Sequence, residues 1–296
     1  MNLTRLRRHR IRLTIVLAIV FAVVVYAQMT YEIFAYNAHS EIQEQGVKIL
    51  TFNLDASDRT ISDNHANEFF EMIEKESPDI LCLQEVRYKS FKKIRGRLDS
   101  MYRYSSDGGQ RKVQRYILYT KYPIKNFRRI GKTNIYSADV QIEGIWTHIY
   151  SCHLTSNGYT TARRKVISEN RSWLEGIPDY YKHIAAGIRK RRTEADVIRK
   201  GIDSLKRVNI PVLVIGDLND FTGSECLDRI MSTDLADAWW NSGNGFGITY
   251  DAWHLKLRID HVLYDNKYFI PLNSHVVDTD ISDHKPLVTM VIQKDF

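Results

Sequence analysis

The feature that most constrains the fold is a series of short, largely apolar runs, each bordered by a polar side chain. Such runs lie at residues 47–52, 80–83, 149–152, 211–216 and 286–292. Runs of this length are shorter than most core helices, and their near-continuous apolar character is typical of strands buried on both faces. The chain is therefore predicted to build its core on buried strands.

Helical patterns separate these runs. Ser62 or Asp63 can cap a helix whose apolar residues follow helical spacing, and Pro78 lies just beyond its end. The charged region 160–207 is also predicted to be helical, with apolar positions such as Ile198 giving it a core-facing side. From residue 47 the pattern is therefore strand, helix, strand.

The N-terminus carries a targeting pattern. A basic n-region at residues 1–12 precedes an apolar segment at 13–31. This order predicts a transmembrane helix, with the N-terminus cytoplasmic and the rest of the chain periplasmic or extracellular, because arginines stay on the cytoplasmic side. The apolar run is intermediate in length between a signal peptide and a full span, so a cleaved signal and a secreted protein are the alternative.

The remaining chain is predicted to form one domain. Residues 32–45 are polar and predict a tether, and residues 46–296 show neither an internal repeat nor a second linker. Five arginines within the first twelve residues account for five of the seven net positive charges of the chain. The domain itself is only mildly basic, so net charge does not identify the substrate.

Polar residues border the apolar runs at several points. They are Asn53, Glu85, His153, Asp217, Asn219, Asp283 and His284. Each alone is compatible with an ordinary turn or a satisfied polar group. Together they indicate a site, because carboxylate and amide oxygens suit a hard cation such as Mg²⁺, with Mn²⁺ as the alternative, and histidines suit phosphate contacts and proton transfer.

The motifs around these residues resemble the endonuclease/exonuclease/phosphatase superfamily over residues 47–293. In chain order they are Thr-Phe-Asn-Leu at 51–54, Leu-Gln-Glu-Val at 83–86, Ser-Cys-His-Leu at 151–154, Gly-Asp-Leu-Asn-Asp at 216–220, Arg-Ile-Asp-His at 258–261 and Ser-Asp-His-Lys-Pro at 282–286. The resemblance implies a deoxyribonuclease I-like fold, a four-layer α-β-β-α sandwich of two packed mixed sheets. It also implies an active site at one rim of the sandwich.

The resemblance implies a metal site as well. Glu85 would be the principal metal ligand, with Asn53 and Asp283 near the ion. Asp55 would contact a second metal or a metal-bound water.

The catalytic roles follow from the same resemblance. Asp217 would orient or deprotonate the attacking water, and Asn219 and His153 would bind phosphate oxygens. His284 would contact the scissile phosphate, with Asp260 behind it to fix its tautomer. Either Asp217 or His284 is the general base.

One residue departs from the family pattern. His261 follows Asp260 where the family often has tyrosine. Because successive strand residues point to opposite faces, His261 is predicted to be a packing or surface residue rather than a third catalytic histidine.

The implied reaction is Mg²⁺-dependent hydrolysis of a phosphoester by in-line attack of water, outside the cytoplasm. A phosphodiesterase or nuclease is favoured over a phosphomonoesterase and a sphingomyelinase-like phospholipase. The non-enzyme alternative is a catalytically dead binding module, and the retained site residues oppose it. Basic runs at 111–112, 128–129, 163–165 and 189–192 are candidate nucleic-acid contacts or simply solvated faces. No obligate protein partner is indicated.

Overall fold

The computed structural model describes residues 15–28, 33–37, 45–54, 61–107, 114–232, 234–252 and 255–294. The strands are β1 Val47–Asn53, β2 Ile80–Arg87, β3 Tyr104–Asp107, β4 Gln114–Thr120, β5 Ile124–Arg129, β6 Ile135–Ile142, β7 Ile145–His153, β8 Val212–Asp217, β9 Leu235–Asp237, β10 Tyr250–Ala252, β11 Leu255–Leu257, β12 Asp260–Asp265, β13 Phe269–Val276 and β14 Leu287–Gln293. The helices are α1 at residues 15–28, α2 Asp63–Glu76, α3 Tyr88–Met101, α4 Tyr159–Ser168, α5 Trp173–Lys206, α6 Glu225–Met231 and α7 Ala238–Ser242.

Two six-stranded mixed sheets form the centre of the molecule. The first has the strand order β13-β14-β1-β2-β4-β3, and the second has the order β5-β6-β7-β8-β12-β9. One neighbouring pair in each sheet is parallel, β1 with β2 and β7 with β8, and the other pairs are antiparallel. Strands β10 and β11 form a separate hairpin.

The two sheets pack face to face, and helices cover their outer faces. Between the sheets, Ile49 and Cys82 of the first sheet share an apolar cluster with Ile149 and Ile215 of the second. The side chains that alternate with these along the strands, such as Leu50, point to the outer face of the first sheet. They pack there against α2 and α3 in a second apolar cluster. A third cluster joins the second sheet to α5 and α6. The predicted pair of packed mixed sheets with helices is thus confirmed.

Local signals in the sequence account for the first helix of the domain. The Ser62 hydroxyl accepts a hydrogen bond from the backbone N–H of His65 at 3.0 Å and caps α2. Phe69 and Ile73, at helical spacing, pack into the second apolar cluster. The predicted capped helix is confirmed.

The predicted membrane anchor is not confirmed by the structure. The described residues 15–28 are helical. Across the described ranges, no helix combines the length and apolar character needed for a membrane span. The transmembrane helix over 13–31, with the periplasmic or extracellular placement derived from it, is therefore wrong. Residues 1–14 and 29–32 lie outside the described residues.

Part of the predicted tether contacts the domain. Ala35 is buried and forms a two-way backbone hydrogen-bonded bridge with Gly245. The Asn37 amide donates to the backbone carbonyls of Trp240 and Gly243 at 3.1 and 2.7 Å. Residues 33–37 are thus hydrogen-bonded to the end of α7 and to the loop that follows it.

A buried ionic cluster ties β9 to β12. The Asp237 carboxylate accepts from the Arg258 guanidinium and lies 2.9 Å from Nδ1 of His261, and all three residues are buried. Burial opposes the charge of Asp237, but Arg258 and His261 outweigh it and hold the pKa of this carboxyl well below its usual value. His261 is thus a packing residue, as predicted.

This cluster predicts acid-sensitive stability. A carboxyl with a depressed folded-state pKa stabilises the fold fully above its ordinary pKa of 3.8 and loses that contribution as pH falls below it. Asp237→Asn should therefore lower the free energy of unfolding at pH 7 by about 3–5 kcal/mol. The difference from wild type should shrink between pH 5 and pH 3, as measured by urea unfolding. Asp63→Asn removes an exposed carboxylate and is the control. A difference that stays constant with pH contradicts the prediction.

Candidate active site

The polar side chains that border the strands meet at one rim of the sandwich. Both His153 of β7 and Asp260 of β12 lie directly opposite Asp217 of β8 in the register of the second sheet. The first sheet contributes Asn53 at the end of β1 and Glu85 near the end of β2. The ends of the parallel strand pairs therefore bring residues distant in sequence within reach of each other.

Local backbone irregularity places two of these residues. The pairing of β2 with β4 shifts register between Leu83 and Val86, and Glu85 within this bulge has φ of 53°. Asn219, in the loop after β8, has φ of 52°. Left-handed backbone is costly for residues other than glycine, and such positions persist where the surroundings hold them. The backbone here is thus bent so that both side chains point into the site.

Asp217 lies at the centre of the cluster and is almost fully buried. Its carboxylate accepts from the Asn53 amide at 3.0 Å, and from the backbone N–H and side-chain amide of Asn219 at 2.8 and 3.1 Å. Nε2 of His153 lies at 3.5 Å and Nε2 of His284 at 3.7 Å. Burial raises the pKa of Asp217, and the imidazole of His284 opposes that rise.

His284 is paired with a second buried carboxylate. Its Nδ1 lies 2.9 Å from Oδ2 of Asp260, and both residues are buried. Burial works against the charged imidazole, but Asp260 and Asp217 outweigh it and raise the pKa of His284 to about 10. His284 is therefore an imidazolium at neutral pH. The ring of Tyr250, from the β10–β11 hairpin, packs edge-on against it with centroids 5.0 Å apart.

His153 has a different environment. Its Nε2 lies 3.1 Å from Oε1 of Glu85 and 3.5 Å from Oδ2 of Asp217, while its Nδ1 lies 3.1 Å from the hydroxyl of Tyr116. Carboxylates only accept, so Nε2 carries the hydrogen, and in the neutral ring Nδ1 accepts from the tyrosine. Sequence reasoning missed Tyr116, because a tyrosine inside a strand pattern looks like an ordinary core residue.

The predicted residues thus fall into one connected cluster, with some differences of detail. Asn53, Glu85, His153, Asp217, Asn219, Asp260 and His284 are linked by the contacts above. Asp283 adjoins them through its neighbour, since the Ser282 hydroxyl donates to the backbone carbonyl of Asn53 at 2.9 Å. Asp55 lies outside the described residues. The roles assigned to these side chains remain predictions.

The donor chemistry of the cluster fits a divalent cation. Glu85 and Asp217 bring two carboxylates to the same imidazole, since Nε2 of His153 lies 3.1 Å from Oε1 of Glu85 and 3.5 Å from Oδ2 of Asp217. Ligand atoms of Asp217, Asp260 and His284 also lie within 4.8 Å of one another. We assign this trio to a hydrogen-bonded relay, because the Asp260 oxygen already pairs with His284 and Mg²⁺ prefers oxygen ligands with water. Glu85 therefore stays the predicted metal ligand.

Three side chains of the basic runs are paired with carboxylates. Lys165 pairs with Asp179 at 3.0 Å, Arg192 pairs with Glu225, and Arg191 is fully buried against Asp220 at 2.8 Å. Residues 111–112 lie outside the described residues. The predicted nucleic-acid contacts therefore find no support in these paired side chains.

Comparison with known proteins agrees with this geometry. Residues 50–284 match the model of the Endonuclease/Exonuclease/phosphatase family. The chain therefore belongs to the endonuclease/exonuclease/phosphatase family, whose members are metal-dependent phosphoesterases, and the protein is such an enzyme. No curated protein sequence matches the chain.

Solved structures show the same fold at low sequence identity. Truncated TDP2 from Caenorhabditis elegans has a TM-score of 0.64 and 17% identity, covering 86% of this chain and 100% of that one. A family protein from Bacteroides vulgatus has a TM-score of 0.62 and 16% identity, with 85% and 100% covered. The human Nocturnin catalytic domain has a TM-score of 0.58 and 16% identity, with 84% and 95% covered. At these identities the likeness establishes the fold alone.

The contact between Tyr116 and His153 generates a prediction. Tyr116→Phe removes the donor that fixes the ring of His153, so kcat for phosphoester hydrolysis should fall by roughly 10- to 100-fold. Tyr119→Phe is the matched control, because this tyrosine lies on the same strand and its hydroxyl donates to Asp99 at 2.9 Å on the outer side. Steady-state kinetics and thermal melts should separate the two variants. Equal kcat in Tyr116→Phe and Tyr119→Phe would refute this role.

Proposed function

We propose that the protein is a Mg²⁺-dependent phosphodiesterase that acts on nucleic acid by in-line attack of water. The observation that carries the proposal is the buried relay of Asp217, His284 and Asp260, with Glu85 and His153 on its open side. Such a cluster can hold an anionic phosphate against donors while a carboxylate accepts a proton. Electrostatic positioning of this kind supplies most of the rate in phosphoryl transfer.

The pKa shifts of His284 and Asp217 favour different catalytic roles for the two residues. His284 has a pKa raised to about 10, so it is protonated at neutral pH and cannot accept a proton from water. Asp217, whose pKa is raised by burial, is then the general base, because a pKa nearer to the working pH favours proton transfer. His284 supports the negative charge of the phosphate. The proposal therefore takes Asp217, rather than His284, as the general base.

His153 and Asn219 complete the contacts to the phosphate. Nε2–H of His153 points between Glu85 and Asp217, where a phosphate oxygen can accept from it. The Asn219 amide already donates to Asp217 and to the backbone carbonyl of Leu154, which fixes its orientation. Glu85, with Asn53 and Asp283 beside it, would hold Mg²⁺ or Mn²⁺. When bound, such an ion polarises a phosphoryl oxygen and neutralises charge.

The choice of nucleic acid as substrate has support from one structural neighbour. TDP2 from Danio rerio, similar in fold with a TM-score of 0.63 at 15% identity, has been solved in complex with single-strand DNA product. A phosphomonoesterase or a sphingomyelinase-like phospholipase would use the same cluster on a different substrate. Substrate tests therefore include all three classes.

The catalytic cluster itself can be tested by substitution. Glu85→Gln and His284→Asn should each lower kcat/KM for Mg²⁺-dependent hydrolysis of bis-p-nitrophenyl phosphate by about 10²–10⁴-fold. His275→Ala is the matched control, because His275 pairs with Glu76 on another part of the surface. Circular dichroism should show that all variants are folded. Wild-type activity in both site variants would exclude this cluster as the active site.

Substrate class and metal dependence can be tested together. EDTA should abolish hydrolysis, and added Mg²⁺ should restore it. Wild-type protein should cleave single-stranded DNA or RNA faster than p-nitrophenyl phosphate or sphingomyelin, with Glu85→Gln as the inactive control. Cleavage of nucleic acid should weaken as salt rises, because phosphate contacts release counterions. Faster turnover of the monoester or of the lipid would replace the nucleic-acid assignment.

A further inference from the structure

A buried arginine lies beside the site. Arg191 on α5 is 1% exposed and is among the largest fully buried side chains of the described chain. A guanidinium in the interior is tolerated only where its donors are paired. Its Nε donates to Oδ2 of Asp220 at 2.8 Å, and its two terminal nitrogens donate to the Thr155 carbonyl at 2.9 Å and the Asn157 side-chain oxygen at 2.7 Å.

These partners belong to two loops that carry the proposed site residues. Thr155 and Asn157 follow His153 at the end of β7, and Asp220 follows Asp217 and Asn219 at the end of β8. The guanidinium therefore joins one loop to the other. It makes these contacts with all three of its nitrogen atoms, as the planar fork of arginine allows and a lysine ammonium does not.

The loops also bond directly to each other. The backbone N–H of Leu154 donates to the Asp217 carbonyl at 2.9 Å, and the Asn219 amide donates to the Leu154 carbonyl at 2.9 Å. Any movement between the loops would therefore displace His153 relative to Asp217. Asn219, whose backbone is left-handed with φ of 52°, lies among these contacts.

Other residues hold the same loops from either side. Glu194, one turn beyond Arg191, accepts from the backbone N–H and the hydroxyl of Thr155 at 2.8 and 2.9 Å. A Cβ at Gly187 would lie 2.6 Å from the Ser156 carbonyl, so α5 approaches this loop closely. Nε2 of His261 lies 3.0 Å from the Asp220 carbonyl. Helix α5 thus contacts the loop after β7, and His261 of β12 contacts the loop after β8.

We infer that Arg191 is a positioning residue of the phosphoesterase site: its guanidinium fixes the loop after β7 to the loop after β8 and so sets the separation of His153, Asp217 and Asn219. The inference rests on the roles proposed for these three residues. Arg191 touches neither the reacting atoms nor the metal ligands, and it acts through the two loops.

The test compares turnover with loop dynamics. Arg191→Lys keeps the charge and loses the fork, so kcat for bis-p-nitrophenyl phosphate should fall by roughly 10- to 100-fold with KM within about twofold of wild type. Hydrogen exchange of residues 154–157 and 217–220 should accelerate, while exchange in the first sheet stays at the wild-type rate. The double variant Arg191→Met with Asp220→Asn removes both buried charges, keeps the protein testable if Arg191→Lys misfolds, and should show the same losses.

Ile202→Ala is the matched control, because Ile202 lies on the core-facing side of α5 about three turns beyond Arg191. It should lower the melting temperature and leave kcat unchanged. Wild-type kcat in both Arg191 variants, or wild-type loop exchange in both, overturns the inference. Failure of the proposed function looks different: if wild-type protein hydrolyses no phosphodiester, the exchange measurement alone decides whether Arg191 holds the loops.

Discussion

The buried carboxylate of Asp217 is the constraint on which the site depends. Without hydrogen-bond donors, the desolvation cost would strongly disfavour an ionised carboxylate at this buried position. Asn53, Asn219 and two histidines satisfy it, and they come from four different segments of the chain. Since these donors must converge on one carboxylate, the ends of the strands that carry them must meet at one rim. The buried carboxylate of Asp217 thus contacts residues carried by both sheets.

The two histidines beside Asp217 differ because of what lies behind each ring. Nδ1 of His284 lies beside the Asp260 carboxylate, which favours the cationic ring. Nδ1 of His153 lies beside the Tyr116 hydroxyl, and this contact directs Nε2–H toward Glu85 and Asp217. His284 precedes a strand of the first sheet, and Asp260 begins a strand of the second. The relay therefore crosses between the sheets, so the packed sandwich, and neither sheet alone, creates the site.

Much of this could be predicted from local pattern. The apolar runs indicate the strands that pack face to face, and Ser62 indicates where α2 begins. The membrane anchor was wrong because apolar character in a run of residues measures hydrophobicity and not helix length, and among the described residues no helix is both long and apolar enough to cross a membrane. The basic run at 189–192 shows another limit of local pattern. Composition cannot show that Arg191 points inward while Arg192 pairs with Glu225 at the surface.

By itself the sequence determined which polar side chains border the buried strands, their order and the family to which they belong, because those depend on neighbours along the chain. Only the tertiary structure decided which groups pair with them. Tyr116 is 37 residues from His153, and Arg191 is 29 residues from Asp220. The protonation of His284 and the burial of Arg191 depend on charges and packing brought in by other elements, and a linear pattern contains neither.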